Sequence, residues 1–204
     1  MSAKTIILAN GDFPKKGGTP WKLLAAATRV VCCDGAADAY RRHFRRWPAA
    51  IVGDFDSSQT FRTSRTSPTC ELVCFTDQDT NDLEKAIVFC AMRGWKDPVV
   101  VGATGKREDH MIGNVFRALD YGVEIVTDTG WFVPVCGKAT LRVRKGAAVS
   151  VFAPDPKTRM TSKGLEWPLA PVKFLNLYCA TLNRATGTSV ALTSTRPVGL
   201  YIES

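Results

Sequence analysis

Histidine is nearly missing from this sequence: 204 residues contain two, His43 and His110. There is no Cys-x-x-Cys pair, and neither histidine combines with a cysteine at zinc spacing, which excludes the usual structural zinc site. Long apolar runs are absent too. The longest, such as Val99-Val100-Val101, fall far short of the ~20 residues that cross a bilayer, so no membrane span is expected. The N-terminus offers one lysine and a short apolar segment that runs straight into Gly11-Asp12, without the long hydrophobic region of a signal peptide, and it reads as a first strand. Acidic residues are the scarcer charge, 19 against 27 basic, and the resulting +8 favours anionic partners. Nucleic acid and nucleotide phosphate both fit that balance.

With 45% hydrophobic and 23% charged residues, the composition is that of a globular protein with a real core. The seven cysteines are odd in number, and several lie inside apolar runs, as Cys32 and Cys33 do after Val30-Val31. Buried free thiols in a reducing cytoplasm account for this best. The densest basic stretch, residues 41–46, ends an expected helix, where cations suit the negative end of the helix dipole.

Up to about residue 125, short β-branched runs alternate with helical segments, the pattern of a parallel α/β sheet. Strands are predicted over 5–9, 29–33, 50–52, 72–75, 99–101 and 124–127, with helices over 21–27, 36–44, 82–93 and 109–121. Asn81 can cap the third helix while Glu84 reaches back, as in a capping box. Beyond residue 125 the helical period disappears, and strands are predicted over 131–135, 140–143, 147–152, 174–178, 188–192 and 200–202. The expected fold is therefore α/β: a Rossmann-like parallel-sheet domain over 1–125, followed by an antiparallel β-sandwich domain over 126–204.

Many of the few acidic residues fall at strand ends. Asp54-Phe55-Asp56 closes an apolar strand, and in an extended chain this spacing points both carboxylates to one side, where they can share a cation; strand-end aspartates also make turns. A second cluster, Asp77-Gln78-Asp79-Thr80-Asn81-Asp82, follows the next strand, and its Asp77 and Asp82 can equally serve the turn and the first helical turn. Both clusters lie at the carboxyl edge of the expected sheet, where ligands bind. Like charges meeting there need a metal or hydrogen-bond donors between them, and hard oxygen ligands beside phosphate suit Mg²⁺. A third segment, Gly102-Ala-Thr-Gly105-Lys106-Arg107-Glu-Asp109-His110, joins a strand to a helix. Its glycines and free helix amides can admit a phosphate, although Arg107 stands where a P-loop has its Ser or Thr.

Gly53-Asp-Phe-Asp-Ser57, Asp77-Gln-Asp-Thr-Asn-Asp-Leu-Glu-Lys85, Gly102-x-x-Gly105-x-Arg107-x-Asp109-His110-x-x-x-Asn114 and Gly164-Leu-Glu-Trp167-Pro-Leu169 together resemble the motifs of the thiamine pyrophosphokinase family, in order, spacing and total length. The resemblance implies a homodimer with its thiamine site near the subunit interface, and Mg²⁺-dependent transfer of a pyrophosphoryl group from ATP to thiamine. It assigns Asp54, Asp56 and Asp82 to the metal, with Asp79 close by and Asp109 facing the reacting hydroxyl or the metal. Gln78, Lys85, Gly105, Arg107 and Asn114 go to the nucleotide, and Trp167 and Asn183 to thiamine. Trp167 can stack on the cationic thiazolium or anchor the sandwich core. The sequence departs from the family at Lys106, where a glycine is usual, at Leu182, where a serine is usual, and at Ala36-Ala37-Asp38 after the second strand. A kinase or pyrophosphokinase for another small alcohol, and a basic nucleic-acid-binding module, are the competing readings. The carboxylate-rich sheet edge argues against a nucleic-acid partner.

Overall fold

The computed structural model describes residues 4–55, 69–75, 77, 79–170 and 172–204. The chain has a mixed α/β fold in two compact units, Met1–Asp128 and Thr129–Ser204.

In the first unit, β1 (Thr5–Leu8), β2 (Arg29–Cys33), β3 (Ala50–Gly53), β4 (Glu71–Cys74), β5 (Val99–Val101) and β6 (Glu124–Val126) pair in the order β6-β5-β1-β2-β3-β4. Every pairing is parallel, with Ile6 opposite Val30 on one side of β1 and opposite Val99 on the other. Parallel strands covered on both faces need continuous apolar runs, and Ile6, Ile7, Leu8, Val31 and Ile51 are wholly buried. The connections are α1 (Thr19–Ala26), α2 (Ala36–Phe44), α3 (Asp82–Met92) and α4 (Glu108–Asp120).

Basic residues 41–46 are partly consumed by packing. Arg46 donates to the Tyr40 hydroxyl and to the Leu24 carbonyl that ends α1, and the Arg41 guanidinium lies 3.7 Å from the Trp47 ring centroid. Asn81 caps α3 as expected, accepting from the Glu84 amide at 2.9 Å. The reciprocal half of the capping box does not form. Buried Glu84 instead accepts from the Tyr121 hydroxyl at 2.7 Å and pairs with Arg117 at 3.3 Å, because a charged partner on α4 outcompetes a neutral amide.

The second unit is antiparallel. Two long strands, β7 (Gly130–Arg142) and β12 (Ser189–Glu203), pair along their whole length, with a register shift between Ser194 and Val198. Before the shift β12 also pairs with β9 (Arg159–Lys163), and after it with β8 (Ala148–Phe152). The short β10 (Val172–Lys173) joins β9, and β11 (Ala180–Arg184) joins β8. Between these strands lies a core in which Val149, Val151, Val190 and Leu200 are fully buried and Phe174 nearly so.

Two expectations are corrected here. The strands predicted over 131–135 and 140–143 are halves of β7, and those over 188–192 and 200–202 are halves of β12. Pro134 stays in the ladder opposite Gly199, and the register shift between Ser194 and Val198 takes up Pro197 without ending the pairing. No strand forms over 174–178. Asn176 accepts from the Tyr178 amide at 3.1 Å and turns the chain there, leaving Phe174 as a core anchor.

Candidate active site

Strand order determines where the cleft opens. The chain runs outward from β1 through β2, β3 and β4, then returns to lay β5 on the other side of β1. At such a switch point the loops after neighbouring strands diverge, and the carboxyl edge is left open. A cleft of about 430 Å³ lies there, bordered by Asn10 and Gly11 after β1, Asp54 after β3, the loop after β5, and the first turns of α3 and α4.

The loops after β1 and β5 are laced together. The Gly11 amide donates to Gly102 O at 2.7 Å and the Asp12 amide to Thr104 O at 2.8 Å, so a Cβ on Gly11 would strike both carbonyls. Gly105, at φ 79°, lies equally close to the Asp12 side chain. Lys106 follows with φ 55°, a left-handed conformation that costs a residue with a Cβ about 1 kcal/mol. Its ammonium reaches back to Asn10 O at 3.0 Å and Asn10 Oδ1 at 3.1 Å.

Of the residues expected at the site, Asp54, Asp82, Lys85, Gly105, Arg107 and Asn114 all border this cleft. Asp82 is the electrostatic centre: burial pushes its carboxyl above the usual range, Asp54 and Asp34 push it further, and Lys85 opposes them. Lys85 is itself buried, with Nζ 3.7 Å from Asp82 Oδ1. Asn114, midway along α4, accepts from the Asn81 side-chain amide at 3.2 Å and donates to Ala103 O at 3.3 Å, tying the start of α3 and the loop after β5 to α4.

Arg107 and Asp109, both exposed, grip each other through two hydrogen bonds of 3.1 and 2.6 Å, and the guanidinium holds the Asp109 carboxyl below its ordinary value. Asp109 is not among the cleft-lining residues, and neither is Asp79. The Asp79 amide donates to Asp77 at 3.0 Å, so Asp77 makes the turn, one of its two expected roles. Asp56 and Gln78 lie outside the described residues.

Sequence reasoning missed Asn10, Gly11, Cys33 and Met111, which also line the cleft, and gave no role to His110, which lines it too. The signal for the first two was present in Asn10-Gly11-Asp12, polar residues at the end of a buried parallel strand. The Cys33 thiol is pushed up by burial and by Asp82, and it donates to Asp82 O at 3.5 Å, which keeps it protonated and unreactive.

Oxygen is the only donor type that Asp54 and Asp82 bring, and their mutual repulsion favours a hard divalent cation over an empty carboxylate cluster. Among the described residues no group of three or more His, Cys, Asp or Glu converges in ligating geometry.

In the second unit, Leu165 and Leu169 are buried and anchor a loop that presents Trp167, which is 58% exposed. That exposure excludes the core-anchor role for this tryptophan. Asn183 is buried, and its side-chain amide is engaged at both ends: Oδ1 accepts from the Trp167 amide at 3.2 Å, and Nδ2 donates to Trp167 O at 2.7 Å. Asn183 therefore positions Trp167. Its replacement by alanine is expected to leave both backbone groups without these bonds, costing about 1–3 kcal/mol in thermal unfolding. An unchanged melting curve would mean that water substitutes fully for the amide.

The family description "Thiamin pyrophosphokinase, catalytic domain" matches residues 20–126, and "Thiamin pyrophosphokinase, substrate-binding domain" matches residues 130–201. Thiamin pyrophosphokinase 1 of Caenorhabditis elegans is 29% identical over 121 residues, 55% of this chain and about half (49%) of that relative's length. Among solved structures, a thiamin pyrophosphokinase family protein from Enterococcus faecalis superposes with a TM-score of 0.78 at 15% identity, covering 99% of both chains. Yeast thiamin pyrophosphokinase does so with 0.73 at 13% identity, covering 100% of this chain and 87% of the other. At these identities the structures establish a shared fold, and the two family matches, which between them cover most of both units, establish that the chain belongs to the thiamin pyrophosphokinase family.

Proposed function

We propose that this protein transfers the pyrophosphoryl group of ATP to the hydroxyl of thiamine, giving thiamine diphosphate and AMP. The observation that carries this reading is the family match over both units, together with a cleft at the switch point that gathers carboxylates, cations and backbone amides. In the reaction the thiamine oxygen bonds to the β-phosphorus, the bond from the β-phosphorus to the oxygen bridging it to the α-phosphorus breaks, and AMP leaves while the hydroxyl proton is lost. Such chemistry depends on alignment and charge neutralisation more than on covalent help.

Asp54 and Asp82, with Asp56, would hold Mg²⁺, whose contribution is to neutralise and orient the triphosphate. Lys85 pairs with Asp82, and Gly105 borders the cleft as part of the loop that would receive the phosphates. Arg107 moves from Asp109 to the phosphates, which frees that carboxylate to face the hydroxyl. Asn114 and Gln78 supply polar contacts to the nucleotide, with Asp79 at the margin. Trp167 stacks on the thiazolium, held in place by Asn183.

We read residues 1–125 as the catalytic α/β domain and 126–204 as the β-sandwich that binds thiamine. A homodimer with thiamine bound near its interface fits the exposed apolar side chains of Leu175, Tyr178 and Leu182. Cytoplasmic action fits seven free thiols. Among the described residues no helix is long and apolar enough to cross a membrane.

³¹P NMR of the protein with ATP, Mg²⁺ and thiamine tests the proposal in one spectrum. AMP and thiamine diphosphate are expected. ADP with thiamine monophosphate would replace pyrophosphoryl transfer with ordinary kinase chemistry, and spectra unchanged by thiamine would exclude thiamine as the acceptor.

A further inference from the structure

Lys85, Arg107 and Lys106 border the cleft, and two of these cations already have carboxylate partners: Lys85 pairs with Asp82 and Arg107 with Asp109. The third is Lys106. Among the described residues its ammonium bonds only to neutral oxygens, Asn10 O at 3.0 Å and Asn10 Oδ1 at 3.1 Å, so its charge is oriented but not cancelled. The backbone beneath it adds a second observation. Gly102 and Gly105 in the same loop take positive φ, as glycines do without strain, whereas the third residue at positive φ, 55°, is this lysine. The loop keeps a side chain at a position whose conformation favours none, and the side chain kept is one that reaches across the mouth of the cleft.

We infer that Lys106 is a nucleotide-binding residue of this chain, moving its ammonium from Asn10 to a phosphate oxygen of the incoming triphosphate. This rests on the cleft being the ATP site. A cation held by two neutral acceptors exchanges them readily for an anionic oxygen, since the charge-assisted bond is the stronger. Asn10 then serves as the resting place that keeps a flexible stem aimed inward in the empty enzyme. Because the attraction is to the phosphates themselves, it operates before any metal arrives. Lys106 therefore gives the cleft a share of affinity for polyphosphate that persists without a divalent cation and falls as salt rises.

Calorimetric titration of inorganic tripolyphosphate into the whole protein, in EDTA and at low and raised salt, reads this directly. Lys106→Gly and Lys106→Gln are each expected to weaken binding roughly five- to tenfold at low salt, with the gap closing at high salt, and Lys106→Arg to retain it. Glycine relieves the left-handed backbone, so its melting temperature should not fall, and weaker binding by that variant is not unfolding. Glutamine keeps the stem and can still donate to Asn10; if it binds as tightly as the parent, Lys106 merely braces the loop and the inference fails. A parent protein that binds no tripolyphosphate at all would remove the ATP-site reading, and this inference with it.

Discussion

Asp54→Asn is expected to lower kcat about a hundred- to a thousandfold while leaving the thermal melt nearly unchanged. The two halves of that expectation have one cause. Asp54 borders the cleft at the end of β3, where its charge raises the carboxyl of Asp82. That charge repels a neighbour already disfavoured by burial, so neutralising it removes one unfavourable interaction from the fold. On the proposed function, Asp54 would be one of the oxygen ligands that hold Mg²⁺ beside the triphosphate, and asparagine would supply the shape without the charge. Steady-state kinetics across a range of Mg²⁺ concentrations, paired with a melting curve, separates these effects. A kcat near the parent's at saturating Mg²⁺ would show that Asp54 does not serve the metal.

Trp167→Ala should raise the KM for thiamine by about thirtyfold, equivalent to about 2 kcal/mol, and alter that for ATP less than about twofold. The indole is largely solvent-exposed, and its loop is held by Leu165, Leu169 and the Asn183 amide, so truncating the ring removes a surface without loosening its support. A cation stacked on that face loses both the apolar contact and the attraction to the π-cloud. An uncharged thiazole analogue of thiamine should already lack the second part with Trp167 intact. Parallel rises in both KM values would place the tryptophan in a general structural role instead.

How far sequence alone led depended on whether the information was local. The 36–44 range of α2 holds as read, and the Asn81 cap rests on a single side chain directly before the first turn of α3. Parallel strands buried on both faces announce themselves as unbroken runs such as Ile6-Ile7-Leu8. The grouping of Asp54, Asp82, Lys85 and Arg107 was legible through motif order, because strand ends in a parallel sheet converge. What escaped was long-range. Glu84 finds Arg117 and Tyr121 on α4, and no local rule foresees that choice. Arg107 and Asp109 satisfy each other in the absence of ligand, which a motif written for the loaded enzyme does not express. In β12 the buried positions Val190, Leu192 and Ser194 and then Val198, Leu200 and Ile202 keep one phase across an exposed stretch at 195–197, and that stretch makes one long strand read as two.

The placement of β12 has a consequence for biosynthesis. It is the element of the second unit that the ribosome makes last, and it pairs with β7, β8 and β9 together. The first unit is built from parallel strands and helices complete by Asp128, so it can condense while the rest is still being translated. The second has no such gradual route. Until Ser189 to Glu203 emerge, three strands carry open edges and the valines between them lack the cover of Val190, Leu192 and Leu200. A nascent chain stalled before Ser189 would join a finished first unit to a sticky, half-made sheet, a species for chaperones to hold until synthesis ends.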